Sequence, residues 1–159
     1  MILAKEPLPL GGDYNKDGIL NPFDVDRLAD AIRAGEDDAW YNVSNDEDVN
    51  LIDLDVWVHQ LKKTTYGDAN LDTVFDSTDL ILVFQGGKYE VAGVTDATWI
   101  SGDWNADGKF DSRDMIAAFQ DGGYQADSRI QAVPEPTVMA LPIFALTIFR
   151  YSKRKKEAM

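Results

Sequence analysis

The chain has 159 residues, enough for one ordinary domain or two very small ones and too few for a large enzyme. Its 28 acidic residues against 15 basic ones leave a formal charge of −13, which argues against an unassisted nucleic-acid binder, because such a protein needs a basic footprint. There is no cysteine, which excludes disulfides, thiolate metal sites and thiol catalysis. The acids are 22 Asp and only 6 Glu. Glu is the better helix former, so this skew points to turns and metal loops rather than to helix surfaces. Charge is also unevenly placed, with net −17 over residues 1–136 and net +4 over residues 137–159.

In chain order, residues 1–10 read as a leader or a fragment end. MILAKEPLPL is too short and too weakly apolar for a secretion signal, so the expectation is a truncated product or the C-terminal piece of a larger protein. Internal repetition follows. GDYNKDGILNPFDVDRL from Gly12, GDANLDTVFDSTDLILV from Gly67 and GDWNADGKFDSRDMIAA from Gly102 align without gaps, and YNVSNDEDVNLIDLDVW from Tyr41 fits more loosely. Each segment starts with alternating polar residues and changes to apolar spacing of three or four, the pattern of a loop feeding a helix. The spacing predicts helices over Pro22–Arg33, Leu51–Lys63, Ser77–Gln85 and Ser112–Gln120. Gly35, Gly86 with Gly87, and Gly122 with Gly123 punctuate three of the ends. Phe23, Leu28, Ala31, Ile32, Leu51, Leu54, Val58, Leu61, Leu80, Val83, Phe84, Met115, Ala118 and Phe119 are expected to form the core.

The loops carry the chemistry. Counted from the first candidate ligand, Asp13, Asn15, Asp17, Asn21 and Asp24 occupy positions 1, 3, 5, 9 and 12, with Gly18 at the sharp turn of position 6 and the carbonyl of Ile19 at position 7. Calcium takes six to eight oxygen donors, and a twelve-residue loop supplies them from these positions. Asp68, Asn70, Asp72, Val74, Asp76 and Asp79 repeat the set, with Thr73 in place of the glycine; Asp103, Asn105, Asp107, Lys109, Asp111 and Asp114 repeat it with Gly108. A weaker loop offers Asn42, Ser44, Asp46, Asp48, Asn50 and Asp53, with Glu47 at the turn. Carboxylate count and glycine rank the Asp103 loop first, the Asp13 and Asp68 loops next and the Asn42 loop last. The bland alternative is that these Asp and Asn residues only form Asx-turns. Apolar residues at position 8, such as Leu20, Phe75 and Phe110, are expected to pair two loops back to back.

The alternating Asp, Asn and Asp, then glycine, an apolar residue and a closing Asp, resemble bacterial dockerin repeats, over about residues 11–124. The closing ligands Asp24, Asp53, Asp79 and Asp114 agree with that family, which closes its loops with Asp rather than Glu. The resemblance implies a mainly α fold of repeated calcium-loop–helix (EF-hand-like) units with bound Ca2+. Loop–helix pairs would then span 11–63 and 64–124, although pairing of the middle two repeats is a second arrangement. It also implies a cohesin-like partner that reads loop positions 10 and 11. Of these, Ser77 and Thr78, or Ser112 and Arg113, are the candidate partner-binding residues.

Residues 125–136 form a polar linker ending in Val133, Pro134, Glu135 and Pro136, and residues 137–159 form a separate tail. The apolar run Val138–Phe149 has 12 residues, short of the roughly 20 that span a bilayer, and a basic cluster follows it. The order of Pro-Glu-Pro, a short hydrophobic helix and a basic end resembles the PEP-CTERM sorting signal of Gram-negative bacteria. That implies export, transient insertion in the inner membrane, processing by an exosortase-type enzyme and a cell-surface or extracellular destination.

No catalytic constellation is expected. Most Asp residues are assigned to loops, and His59, the lone histidine, reads as a surface residue. Trp40, Trp57, Trp99 and Trp104 could build a sugar-stacking platform, but core packing is the expected role. The functional expectation is a non-catalytic structural or docking module. The alternative is the anchoring C-terminal fragment of a secreted polysaccharide-active hydrolase.

Overall fold

The structure, a computed structural model, describes residues 10–126. The linker motif Val133–Pro136 and the apolar and basic tail lie outside the described residues, as do residues 1–9.

Four α-helices and little strand occupy the described residues: α1, Pro22–Ala34; α2, Leu51–Val56; α3, Ser77–Gln85; and α4, Ser112–Asp121. Each begins where an Asp- and Asn-rich loop ends, because the last loop residues are helix caps. Asn21, Asn50, Asp76 and Asp111 accept backbone N–H bonds from the first turns, and Asp24, Asp53, Asp79 and Asp114 in turn accept the N–H bonds of the cap residues, closing four capping boxes. Pro22 at the first helical position adds a pre-set φ to α1. The ends differ. Gly35 and Gly122 stop α1 and α4 in the left-handed conformation. Helix α2 has no such glycine; it widens into a π-helical segment, Trp57–Lys62, and Lys63 itself takes the left-handed conformation at φ 61°.

The core is built from Val25, Leu28 and Ala31 of α1, Leu54 of α2, Trp57 and Val58 of the π segment, Val83 of α3 and Ala118 of α4. Trp99 fills it from a short 3-10 helix, Trp99–Ser101, and Trp104, Phe75 and Phe110 fill it from loops, so three of the four tryptophans are buried and serve packing; Trp40 stays partly exposed. Phe23 is 72 % and Leu51 52 % exposed, contrary to the expected core. Both lie in first turns, at loop positions 10 and 11, where the buried closing Asp fixes which face of the helix turns inward. Phe84 and Phe119 are each 47 % exposed and pack at a tilt against Phe110 and Phe75.

The third and fourth loops do not bridge to each other through their eighth residues. Phe75 bridges Tyr124, just after α4, and Phe110 bridges Tyr89, just after α3. Gln125 N–H donates to the Phe75 carbonyl at 2.7 Å and Glu90 N–H to the Phe110 carbonyl at 2.9 Å. The third and fourth repeats are therefore tied by an exchange, each helix delivering its following residue to the other repeat's loop. The aromatic pairs Phe75–Tyr124 and Tyr89–Phe110, about 5 Å between ring centroids, make this register favourable. The first two repeats meet differently, through Tyr14 packed at a tilt against Tyr41 and through Trp57 Nε1, which donates to the Gly12 carbonyl.

His59 joins the second repeat to the fourth. Its Nδ1 lies 3.0 Å from Asp55 and its Nε2 3.0 Å from Asp121, a residue that also accepts the Tyr66 N–H. Partial burial alone would lower the His59 pKa; the hydrogen bond and charge of Asp121, helped by Asp55, outweigh it and hold the imidazole above its ordinary value. A raised folded-state pKa stabilises the fold fully below the unfolded value of about 6.5, and the contribution is lost as pH rises through the folded value. His59→Gln is therefore expected to lower the melting temperature clearly at about pH 5.5 and little at about pH 8.5, as read by circular dichroism. Equal losses at both would contradict a charged clamp.

Candidate metal centre

In the first loop Gly12 turns the chain at φ 83°, and Asp13 then faces inward, 5 % exposed. Asp13 Oδ1 accepts the Asp17 N–H at 3.1 Å and Oδ2 the Gly18 N–H at 2.9 Å. Asn15 Oδ1 also accepts the Asp17 N–H, and Asp17 Oδ1 accepts the Ile19 N–H. Asp24 closes the ring: its Oδ1 accepts the Asn15 N–H at 3.0 Å and its Oδ2 the Asn21 N–H at 2.9 Å, with the residue fully buried. The Asp17 carboxyl is held below its usual range, chiefly by the Ile19 N–H.

The third and fourth loops repeat these bonds residue for residue. Asp68 accepts from Asp72 and Thr73, Asn70 from Asp72, Asp72 from Val74, and Asp79 from Asn70 and Asp76. Asp103 accepts from Asp107 and Gly108, Asn105 from Asp107, Asp107 from Lys109, and Asp114 from Trp104, Asn105 and Asp111. The backbone repeats as well. Position 4 is left-handed in all four loops, at Lys16, Asn45, Leu71 and Ala106, and position 6 is left-handed at Gly18, Thr73 and Gly108. Thr73 thus adopts, at φ 80°, a conformation that glycine adopts without strain.

The Asn42 loop departs from this pattern. Asn42 Oδ1 accepts from the Asn45 N–H and the Ser44 hydroxyl rather than from positions 5 and 6, and its amide donates to the Asp46 carbonyl. Asp46 still accepts from Asp48 N–H, and buried Asp53 still accepts from Val43, Ser44 and Asn50. The closing half of the loop is kept and the opening carboxylate is gone.

Sequence reasoning missed three features. Gly67 and Gly102 stand before position 1 at φ 95° and 104°, and a Cβ there would strike the Phe75 and Phe110 rings; the Gly-Asp dipeptide that opens three repeats was the available signal. The Thr64 hydroxyl donates to Asp68. Arginines reach the fourth loop: Arg33 Nη1 lies 2.9 Å from Asp103 Oδ2, and Arg113 Nη2 lies 2.8 Å from Asp107 Oδ2 and 2.6 Å from Asp111 Oδ2.

Burial pushes the Asp103 carboxyl up to about 7 and Asp114 up to about 6, and raises Asp68 and Asp79. Each backbone N–H eases the charge without cancelling it, so these loops favour either a proton or a cation. One carboxylate oxygen each from Asp13, Asp17 and Asp24 all lie within 4.8 Å of one another. Calcium–oxygen distances of about 2.3–2.6 Å set opposite ligands roughly 4.6–5.2 Å apart, so this spacing suits one such ion. Ser77 and Thr78, and Ser112 and Arg113, sit in the first turns of α3 and α4; Thr78, Ser112 and Arg113 are exposed and Ser77 partly so. Among the described residues no helix is long and apolar enough to cross a membrane.

Comparison with known proteins finds no matching family model, no matching curated protein and no matching solved structure.

Asp24→Ala removes both the ring closure and half of the α1 capping box, stranding the Asn15 and Asn21 amides. The expected loss is about 2 kcal/mol in denaturant unfolding, even in chelator. A loss below about 0.5 kcal/mol would contradict this role.

Proposed function

We propose that the chain is a non-catalytic, calcium-binding module of dockerin-like repeats. The observation that supports this most is the shared hydrogen-bond register of the Asp13, Asp68 and Asp103 loops, whose opening and closing carboxylates are buried. Asx-turns alone need no buried carboxylates, and burying so many negative charges is unfavourable unless a cation joins them or protons neutralise them. Asp13, Asn15, Asp17, the Ile19 carbonyl, Asn21 and Asp24 would hold the first ion, with the corresponding residues of the third and fourth loops holding theirs. A hard divalent cation would supply the charge that the loops lack and fix the starts of α1, α3 and α4. The carboxylates are occupied in loop closure and helix capping, which leaves a structural or docking role as the better reading than catalysis. A cohesin-like partner would be read by α3 or α4 at the Ser77–Thr78 or Ser112–Arg113 turn.

Exported, surface-sorted placement belongs to the same proposal and rests on the tail sequence. Mature protein is expected to end near Pro136, which C-terminal peptide mass spectrometry would show; recovery of intact Met159 from surface material would oppose processing.

Calcium is expected to raise the melting temperature and chelator to lower it, since a ligand that binds only the folded state adds stability as RT ln(1 + [L]/Kd). At one hundred times Kd the gain is about 2.7 kcal/mol per site. Melting that ignores both calcium and chelator would overturn the proposal.

A further inference from the structure

We propose that Arg33 and Arg113 are affinity-setting residues that act as built-in counter-cations of the fourth loop and weaken its hold on calcium; this rests on the calcium reading above. Arg33 lies in the last turn of α1, seventy residues from Asp103, yet its Nη1 sits 2.9 Å from Asp103 Oδ2 and 3.5 Å from the Ala106 carbonyl. Its other amino group pairs with Asp30, so the guanidinium is held from both sides. Asp103 is almost fully buried, which makes this an ion pair little screened by water. Arg113, at position 11 of the same loop, spreads its charge over Asp107 and Asp111. No basic side chain pairs with a candidate ligand of the other three loops among the described residues.

Two positive charges beside a cation site, one of them exposed and partly screened, repel the ion and satisfy carboxylates that it would otherwise neutralise. In the first loop the corresponding position-5 carboxylate, Asp17, receives neutral amides instead: Asn15 and Asn21 both donate to its Oδ2. The fourth loop, whose four carboxylates equal the third loop's and exceed the first loop's three, therefore becomes a weaker site than the first. Because Arg33 belongs to the helix that carries Asp24, α1 also links the closing ligand of the first loop to the opening ligand of the fourth.

The test is a calcium titration of the full chain followed by 1H–15N correlation spectra, with the Gly18 amide reporting the first loop and the Gly108 amide the fourth, since these donate to Asp13 and Asp103. In the native protein Gly18 is expected to respond at lower calcium than Gly108. Arg33→Met is expected to move the Gly108 midpoint about five- to tenfold lower while leaving Gly18 in place. Arg33→Lys, which keeps the charge, should stay near the native midpoint. Arg113→Gln, on a side chain that is 60 % exposed, should also lower the Gly108 midpoint and carries the test if Arg33→Met does not fold. A Gly108 midpoint that stays or rises in either variant overturns the proposal for that arginine. If Gly18 is silent as well, in every variant, the calcium reading itself has failed.

Discussion

The closing aspartate of each loop is the constraint on which the rest of the structure depends. Asp24, Asp53, Asp79 and Asp114 are fully buried, and each accepts backbone N–H bonds from both the loop opening and the helix cap. One carboxylate thus sets the curvature of the loop and the first turn of the helix together. Charge-assisted bonds of this kind contribute roughly 1.5–3 kcal/mol each when made, and a buried amide stranded without one costs a similar amount. No arginine or lysine pairs with any of these carboxylates among the described residues. The fold thereby concentrates negative charge at the starts of its helices, where the macrodipole helps but does not neutralise it.

Around these ring closures the repeats interlock through aromatic residues. Phe75 and Phe110 each close onto a left-handed glycine of their own loop and receive a tyrosine from the other repeat. Trp57 and Trp99 donate their indole N–H to the carbonyls of Gly12 and Asp68, fixing loop backbones from a distance. Asp26 of α1 accepts the Trp99 N–H at 2.7 Å, so the first helix is anchored to the segment before the fourth loop. The loops are consequently joined to one another by packed side chains and indole hydrogen bonds.

Much of this was legible before the structure. The helix starts at Pro22, Leu51, Ser77 and Ser112 follow from where Asp and Asn alternation gives way to apolar spacing, since caps and periodicity are both local. Buried Leu28, Leu54, Val83 and Ala118 follow from the same stripes. Phe23 and Leu51 misled the reading because a stripe does not say where its first member points, and the buried closing Asp decides that instead. In the third and fourth loops the eighth residues do not pair back to back, because Tyr124 and Tyr89, placed after their helices, take those bridges. Arg33 on Asp103 joins residues seventy apart, and nothing in either local sequence signals it. Carboxylate count alone does not register that acids of the fourth loop are partly paired within the chain. The linker and tail lie outside the described residues, and their reading rests on sequence alone.

Equilibrium dialysis of the full chain against labelled calcium, repeated with Asp13, Asp24, Asp68, Asp79, Asp103 and Asp114 each changed to Asn, tests the central claim most directly. The expected stoichiometry is about three ions per chain, one for each loop with a carboxylate at both its opening and its close. Each pair of substitutions, opening or closing, should remove one and the same ion. Absence of saturable binding, or an unchanged stoichiometry in all six variants, would contradict the account.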